Sequence, residues 1–174
     1  MSVDLAALFF LNLFAGQSPL LDGVIVFFAA YLPYILVLVF FIFALRQASL
    51  QKDRLLLLAE GLGAGVIARG VVELIRVFVE RPRPFIDNPA IAALLNEASF
   101  SFPSGHAAFF FALATVVFLY NRRAGWWFFA ASAFIGIARI AAGVHYPTDI
   151  AGGAALGILA GFLAHIICAR GQKK

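Results

Sequence analysis

The sequence contains very little cysteine and little charge. Cys168 is the only cysteine in 174 residues, so an internal disulfide is excluded. Charged residues make up 13% of the chain, whereas 63% of it is hydrophobic. A soluble domain of this length could not bury so much apolar surface, and the bilayer is the solvent that fits such a composition. We therefore predict a single integral membrane domain over residues 1–174.

Two further features are missing. The basic residues behind the net charge of +4 are scattered between apolar segments and form no continuous patch, which argues against nucleic acid as a partner. The amino-terminal segment 1–16 has no basic region before its apolar run and no clear small-residue cleavage site, which argues against a cleaved signal peptide. We expect this segment to form an interfacial helix or a sixth span.

Long apolar segments predict an all-α, polytopic membrane helix bundle with about five transmembrane helices, since a span needs about 20 mostly apolar residues. Segments that meet this rule lie near 21–45, 54–79, 102–120, 125–143 and 149–169. Pro33 interrupts the first of them, which a membrane helix tolerates when a neighbour bonds the freed carbonyl.

The connections between these spans differ in charge, which predicts their orientation. If the spans alternate, one end of the bundle carries Arg46, Lys52, Arg54, Arg122, Arg123, Arg170, Lys173 and Lys174, and the other carries Asp4, Asp22, Glu80, Asp87 and Glu97 with Arg81 and Arg83. Because cytoplasmic connections are rich in Lys and Arg, we place the first set in the cytoplasm. The chain is then a multi-pass protein of the inner (plasma) membrane, and its other end faces the periplasm or the cell exterior.

Small residues line one face of the last span. Gly153, Gly157 and Gly161 recur at four-residue steps, which predicts close packing on a neighbouring helix. The same stripe can instead form a homo-oligomer contact, because small residues at this spacing serve both purposes.

The second span carries ionisable side chains, which are costly at membrane depth and usually face the bundle interior. Arg69, Glu73, Arg76, Glu80 and Arg83 recur at three- and four-residue steps, and we place them on one helix face. For Arg69 and Glu73 we favour a structural ion-pair ladder. Arg76 and Arg83 lie beside the helix-stopping prolines of residues 81–84, where forked guanidinium donors at the outer mouth match an anionic headgroup.

Residues 102–106, Phe-Pro-Ser-Gly-His, directly precede the third span. Ser104 predicts an N-cap, Gly105 lets a ligand approach the backbone, and helix-start amides favour an anion there. His106 lies beside that point and can donate a proton to a leaving oxygen. A lone histidine at a helix start is usually structural, but the neighbouring basic residues favour the catalytic interpretation.

A third polar stretch runs from Arg139 through His145 to Asp149, around the start of the last span. Asp149 follows His145 by four residues, so its carboxylate can hold one imidazole nitrogen and leave the other free to attack. Alone, Asp149 is equally well explained as an acid favoured by the helix dipole. Three separate stretches thus deliver histidines, arginines, a serine and an aspartate to one end of the bundle.

Together these residues resemble the type 2 phosphatidic acid phosphatase superfamily. Its pattern is a basic residue, six residues and Arg-Pro; then Pro-Ser-Gly-His; then Ser-Arg, five residues, His, three residues and Asp. In this chain the pattern runs from Arg76 to Arg83-Pro84, through residues 103–106, and from Ala138-Arg139 through His145 to Asp149. With the flanking spans, the likeness covers most of the chain.

The resemblance implies hydrolysis of a lipid phosphate or diphosphate from the surrounding membrane, without a metal or other cofactor. It implies that His145 attacks phosphorus, that Asp149 orients His145, and that His106 protonates the leaving group. The groups expected to hold the phosphoryl oxygens are Arg76, Arg83, Arg139, Ser104 and the amide of Gly105. Such a site agrees with the need of phosphoryl transfer for positioning and charge stabilisation.

Within the superfamily, the short chain and residues 144–149 look most like bacterial undecaprenyl-diphosphate phosphatases of the bacitracin-resistance type. Three positions depart from the patterns: Arg76 is commonly Lys, Ala138 stands where Ser is usual, and Gly105 stands where those enzymes often carry Asp. Phosphatidylglycerophosphate, phosphatidic acid and lipid A phosphates therefore stay open as substrates. A non-enzymatic anion or lipid transporter is the alternative outside enzymes, although no internal repeat typical of transporters is visible.

The segment 85–101 connects the first two motifs. Its apolar stretch, residues 90–95, predicts a helix on the membrane surface beside the lipid entry route. The alternative is a plain connector.

Overall fold

The computed structural model describes residues 3–47 and 50–171, and all the regular structure within them is helical. The helices are α1 (Val3–Asn12), α2 (Pro19–Val26), α3 (Leu32–Gln47), α4 (Gln51–Val79), α5 (Pro84–Asp87), α6 (Gly105–Tyr120), α7 (Arg122–Ala141) and α8 (Pro147–Gly171). The predicted all-α membrane bundle is confirmed. The first two residues of the predicted amino-terminal segment 1–16, together with Lys173 and Lys174 of the basic set, lie outside the described residues.

Four helical stretches are long and apolar enough to cross a membrane: Pro19–Gln47, Gln51–Asp87, Arg122–Ala141 and Pro147–Arg170. The fifth predicted span, α6, has 16 residues and begins at Gly105 rather than 102. At a rise of 1.5 Å per residue it is about 24 Å long, somewhat shorter than the hydrocarbon core. The amino-terminal helix α1 has 10 residues and is too short to be a sixth span.

The first span is one continuous helical rod with an irregular middle. A π-helical turn over Phe27–Tyr31 joins α2 to α3, just before Pro33. Proline has no N–H to donate to the carbonyl of Ala29, four residues back. That carbonyl instead accepts a hydrogen bond of 3.4 Å from Arg139 Nη1, so the proline helps to position a motif arginine.

Helix α6 lies at the centre of the bundle, packed against α4, α7 and α8. It is apolar around most of its circumference, as a helix enclosed by others must be. A Cβ atom on Gly153, Gly157 and Gly161 of α8 would collide with the backbone oxygens of Ser104, Ala108 and Ala112, in that order. The glycine stripe therefore packs α8 closely and in parallel against α6, as the packing prediction stated.

Successive long helices run in opposite directions. Asn121 alone joins α6 to α7, residues 142–146 join α7 to α8, and the longer segment 80–104 joins α4 to α6. The carboxyl ends of α4 and α7 consequently meet the amino termini of α6 and α8 at one end of the bundle. The described basic residues of the predicted cytoplasmic set lie at the other end, near the start of α4 and α7 and the finish of α3 and α8.

The predicted surface helix in the link between α5 and α6 was wrong. Residues 88–104 form turns and extended chain, and α5, which precedes them, is the one helical piece between α4 and α6. The backbone groups that a helix would use are bonded elsewhere: Ala92 N–H donates to Asn12 Oδ1 at 2.9 Å, and Leu94 N–H donates to the Ala142 carbonyl at 3.1 Å. Asn12 in turn donates to the carbonyls of Ala92 and Ala141, so α1 and α7 hold the link in place.

Candidate active site

The polar motifs meet where four helix ends converge. Arg76 lies in the last turn of α4, His106 in the first turn of α6, Arg139 in the last turn of α7 and Asp149 in the first turn of α8. Hydrogen bonds join the three stretches: Arg76 Nη2 donates to the Pro103 carbonyl at 3.1 Å, Arg83 Nη1 lies 3.4 Å from His145 Nε2, and the Ser104 amide donates to the Asp149 carbonyl at 3.0 Å. The expected single cluster at one end of the bundle is therefore present.

The polar stripe on α4 is shorter than its sequence spacing suggests. The helix ends at Val79, and Glu80 takes a left-handed conformation with φ of 44°. Glu80 and Arg83 therefore do not share a helix face with Arg76, and their placement on one face was wrong. The predicted ion-pair ladder does exist deeper in the span, because Glu73 lies 4.0 Å from Arg69 and 3.0 Å from Arg76.

Arg83 is the most enclosed arginine of the cluster, with 1% of its surface exposed. Its Nε donates to the Ser99 carbonyl at 2.7 Å, and its Nη1 donates to the Val144 carbonyl at 2.8 Å. Ser99 Oγ accepts from Arg83 Nη2 at 3.0 Å and from Arg76 Nη1 at 3.3 Å. Ser99 thus joins the two arginines of the first motif, a role that no sequence signal indicated.

The imidazole of His145 is held in one orientation between Asp149 and Arg83. Its Nδ1 lies 3.3 Å from Asp149 Oδ2, and its Nε2 lies 3.4 Å from Arg83 Nη1. A guanidinium can only donate, so Nε2 is the acceptor nitrogen and Nδ1 carries the hydrogen that Asp149 accepts. The lone pair of Nε2 therefore faces the arginine cluster, as a nucleophile for an anionic group requires.

Burial also keeps His145 neutral. It lowers the pKa of the imidazole to about 4, although the hydrogen bond with Asp149 acts in the opposite direction. At pH 7 the contact with Asp149 is consequently a hydrogen bond between a neutral ring and a carboxylate. The uncharged ring has a free electron pair, which a protonated ring would lack.

Asp149 is fully buried and densely bonded. Its Oδ2 accepts from the Tyr146 amide at 2.7 Å and from the Ser101 hydroxyl, in addition to His145. Its main-chain carbonyl accepts from the Ser104 amide at 3.0 Å, which links the second and third motifs. The carboxylate is thereby fixed to both the α8 start and the segment before α6.

The Ser104–Gly105–His106 motif forms the start of α6 as predicted. Ser104 Oγ accepts from the Ala107 amide at 3.4 Å and so caps the helix. A Cβ on Gly105 would lie 2.9 Å from Arg69 Nη1, so glycine allows that guanidinium to approach the helix start. Arg69 is thus both a member of the ion-pair ladder and a positive charge beside the start of α6.

Two buried guanidinium donors in the cluster have no hydrogen-bond partner. They are the Nε atoms of Arg76 and Arg139, whose residues are only 5% and 2% exposed. Unpaired buried donors are costly, and at a candidate functional site such donors are suited to bind an oxyanion. Among residues 3–47 and 50–171, no three His, Cys, Asp or Glu side chains are placed to hold a metal ion.

Glu97 provides an internal anion for this cluster. One carboxylate oxygen bonds to Arg139 Nη2, and the other lies 3.4 Å from Arg83 Nη2. Burial acts to raise the pKa of the Glu97 carboxyl, but the attraction of Arg139 and Arg83 outweighs it and lowers that pKa below its ordinary value. An ionised carboxylate therefore bridges two arginines of two different motifs, a position that the sequence analysis did not anticipate.

Arg81 is a further arginine that the sequence analysis did not assign to the site. It bonds to Asp149 Oδ1 at 2.8 Å and thus touches the carboxylate that holds His145. Its position in the Arg-Pro-Arg-Pro run of residues 81–84 was the available signal, since the prolines fix the backbone of both arginines. Ala138, by contrast, lines an apolar cavity with Phe28, Phe134 and Ile137.

Comparison with known proteins gives consistent similarities. A family model described as the PAP2 superfamily matches residues 54–172. A Bacillus licheniformis protein named bacitracin transport permease protein BcrC is 32% identical over 158 residues, which cover 90% of this chain and 76% of that protein. The crystal structure of Aquifex aeolicus LpxE matches with a TM-score of 0.76 at 28% identity and covers 94% of this chain and 95% of its own. A transmembrane PAP2 type phosphatidylglycerolphosphate phosphatase from Bacillus subtilis matches with a TM-score of 0.68 at 25% identity, over 96% of this chain and 85% of its own.

The bridge at Glu97 predicts how the cluster responds to a free anion. Glu97→Gln leaves Arg83 and Arg139 without their shared counter-charge, so we expect a loss of about 1–3 kcal/mol in stability in anion-free buffer. Added inorganic phosphate then stabilises the variant more than the parent, because it binds without displacing a carboxylate. Thermal unfolding in detergent against phosphate concentration, at constant ionic strength, measures both effects. Glu80→Gln, at an exposed position, is the control, and an equal phosphate response in parent and Glu97→Gln would contradict the prediction.

Proposed function

The chain belongs to the PAP2 superfamily and is a membrane lipid phosphatase, and from this premise we propose that it hydrolyses undecaprenyl diphosphate to undecaprenyl phosphate and inorganic phosphate. We propose further that the reaction passes through a phosphohistidine on His145 and takes place at the outer face of the membrane. The observation that carries the proposal is the unprotonated Nε2 of His145, which accepts from Arg83 Nη1 at 3.4 Å and faces a cluster with unpaired guanidinium donors.

In the first step the lone pair of His145 Nε2 attacks the terminal phosphorus. A nitrogen–phosphorus bond forms while the bond from phosphorus to the bridging oxygen breaks, and the electron pair leaves with that oxygen. His106, which the negative charge of the bound phosphoryl group holds in its protonated form, donates a proton to the leaving oxygen. Asp149 accepts the Nδ1 hydrogen of His145, 3.3 Å away, and stabilises the positive charge that develops on the ring.

In the second step water hydrolyses the phosphohistidine. His106, now deprotonated, accepts a proton from the water, whose oxygen forms the new bond to phosphorus. The nitrogen–phosphorus bond breaks, its electron pair returns to His145 Nε2, and inorganic phosphate leaves. The same histidine therefore serves as acid and then as base, and the enzyme returns to its starting state.

The arginines stabilise the charge on the phosphoryl oxygens in both steps. Arg76, Arg83 and Arg139 offer fixed donors in a site with little water, where such contacts are much stronger than in bulk solvent. The incoming phosphoryl group replaces the Glu97 carboxylate on Arg83 and Arg139. The hydroxyl of Ser104 and the amide of Gly105, at the positive end of α6, complete the binding site for the phosphoryl group.

The choice of undecaprenyl diphosphate is supported by the likeness to the protein named bacitracin transport permease protein BcrC and by the short Val-His-Tyr-Pro-Thr-Asp run at residues 144–149. Phosphatidylglycerophosphate is the main competitor, because the Bacillus subtilis structure is named as a phosphatase for that lipid. Phosphatidic acid and lipid A phosphates use the same phosphoryl chemistry. The residues that touch phosphorus do not distinguish these lipids, so the substrate depends on the headgroup and chain.

The proposed outward orientation is supported by charge. The cluster lies at the end of the bundle opposite Arg46, Lys52, Arg122, Arg123 and Arg170, and cytoplasmic connections are enriched in such residues. An outward site suits a lipid diphosphate that becomes available on the outer leaflet. Transport, which the name of the Bacillus licheniformis protein suggests, is less compatible, because transporter sites lie near the membrane midplane between repeats.

A substrate panel tests this proposal. We expect purified protein in detergent with a chelator present to release phosphate from undecaprenyl diphosphate with a kcat/KM at least about tenfold above that for phosphatidylglycerophosphate or phosphatidic acid, a difference of about 1.4 kcal/mol. His145→Ala is the control and releases none. A preference for either phospholipid would overturn the substrate, and a requirement for an added divalent cation would overturn the metal-independent mechanism.

The acid role of His106 predicts a difference between substrates. Cleavage of a monoester releases an alkoxide, which must be protonated as it leaves. Cleavage of the diphosphate releases a lipid phosphate, whose departure depends less on protonation. His106→Ala therefore loses about 10²–10⁴-fold in kcat toward phosphatidic acid and much less toward undecaprenyl diphosphate. His165→Ala, which removes the partner of Glu60 in α4, is the control and leaves the ratio unchanged. Equal losses of kcat on both lipids in His106→Ala would count against its role as acid.

A further inference from the structure

Arg81 lies between two carboxylates from distant parts of the chain. Its Nη1 donates to Asp149 Oδ1 at 2.8 Å and to Thr148 Oγ1 at 2.7 Å, while its Nη2 donates to Asp4 Oδ2 at 2.8 Å. The guanidinium carbon also lies 3.8 Å from the centre of the Tyr146 ring. Both terminal nitrogens are thus engaged by anions, which leaves Arg81 poorly placed to bind a phosphoryl group as well.

The two oxygens of Asp149 have separate partners. Oδ2 bonds to the Tyr146 amide, to Ser101 and to His145, whereas Oδ1 bonds to Arg81. Asp149 is 0% exposed, and the guanidinium of Arg81 is the cation that pairs with this buried carboxylate. The contact at Oδ1 acts with those at Oδ2 to fix the rotation of the carboxylate, and therefore contributes to the direction in which Oδ2 holds the imidazole.

Asp4 ties the amino-terminal helix to the same point. One of its oxygens accepts from the Thr148 amide at 2.9 Å, and the other accepts from Thr148 Oγ1 at 2.7 Å and from Arg81. The Thr148 amide lies in the first turn of α8, where backbone donors lack a partner within the helix. Asp4 of α1 therefore bonds both the start of α8 and Arg81. Asn12 holds the other end of α1 against the carbonyl of Ala141 at the end of α7.

The charges agree with this arrangement. Burial acts to raise the pKa of the Asp4 carboxyl, but the hydrogen bonds from Arg81 and Thr148 outweigh it and lower that pKa below its ordinary value. Asp4 is consequently ionised at pH 7. The arrangement is a row of alternating charges, negative at Asp4, positive at Arg81 and negative at Asp149.

We propose that Arg81 is a positioning residue of this phosphatase and that Asp4 holds Arg81 in place, so that the amino-terminal helix is part of the active site. Arg81 acts through Asp149 on the orientation of His145 and does not touch the phosphoryl group. This inference rests on the proposed role of His145 as nucleophile. It assigns α1 a function in the chemistry of the site.

The distinguishing measurement is how the effect of Arg81→Gln divides between kcat and KM. Because His145 loses its fixed orientation, we expect kcat on a lipid phosphate to fall about 10–100-fold, the range typical when an outer partner of a site residue is removed. KM and the inhibition constant of inorganic phosphate stay within about twofold, because the arginines that hold phosphate are unchanged. Arg81→Lys recovers part of kcat, since one ammonium can reach one of the two carboxylates. Arg122→Gln, at the opposite end of the bundle, is the matched control and keeps the parental kcat.

Asp4→Asn tests the second half of the proposal. It lowers kcat less than Arg81→Gln does, and the double variant loses no more than Arg81→Gln alone, because Asp4 acts through Arg81. Thermal unfolding of each variant in detergent, with and without inorganic phosphate, shows that the fold and the phosphate site persist. If Arg81→Gln does not fold, the effects on kcat and KM are compared in Arg81→Lys and Asp4→Asn instead.

Two results would overturn the inference. A rise in KM and in the inhibition constant of phosphate at unchanged kcat in Arg81→Gln would make Arg81 a phosphate ligand. Multiplicative losses in the double variant would show that Asp4 acts independently of Arg81. Failure of the proposed function is a separate observation: the parent protein would form no phosphohistidine while still hydrolysing its lipid.

Discussion

The structure depends on the concentration of positive charge at one end of an apolar helix bundle. Arg76, Arg83 and Arg139 are each at least 95% buried, and buried like charges repel one another in a medium that screens them weakly. Several acceptors offset much of this cost: Glu73 pairs with Arg76, and Glu97 bridges Arg83 and Arg139. Backbone carbonyls and the Ser99 hydroxyl accept further hydrogen bonds from these arginines. The compensation is incomplete, because two guanidinium nitrogens have no acceptor. Under the proposed function, these two unpaired donors are available to the phosphoryl oxygens of the substrate.

The rest of the fold serves to hold those charges together. Four helix ends supply the side chains, and the glycine face of α8 allows this helix to lie directly against α6. The segment between α5 and α6 adds Glu97, Ser99 and Ser101 to the same cluster, although it contains no regular structure. Helix α1 packs Leu8 against Ile91 and Tyr146. At one end of this helix Asp4 bonds to Arg81, and at the other Asn12 bonds to the carbonyl of Ala141 in α7. An irregular link and a short helix thus contribute as much to the geometry of the site as the membrane spans do.

Much of this arrangement follows from residue types and spacing. The apolar runs predict the bundle, and the alternation of spans brings the arginines and histidines of the three motifs to one end. The Ser104 cap and the His145–Asp149 pair are local features, separated by four residues or fewer, so their geometry is largely set by the helix start.

The parts that could not be predicted depend on contacts between distant residues. Arg81 and Asp4 meet across 77 positions of sequence, and Glu97 reaches Arg139 across 42. The stretch at residues 90–95 has the composition of a surface helix, yet its amides bond to Asn12 and Ala142 instead. The helical period of α4 likewise suggested that Arg83 continues one face, whereas the left-handed turn at Glu80 redirects the chain. At residues 90–95 tertiary hydrogen bonds outweighed a local preference, whereas at Glu80 the helix ends just before the prolines of residues 82 and 84.

The central claim is that the buried, neutral imidazole of His145 accepts the phosphoryl group while the guanidinium cluster holds it. Rapid alkaline quenching of the reaction with a lipid diphosphate labelled at its terminal phosphate tests this claim most directly, followed by peptide mapping of the labelled protein. The account predicts a phosphoryl group that is stable in base, labile in acid and located on His145. Label on another side chain, or label that persists in His145→Ala, would contradict it.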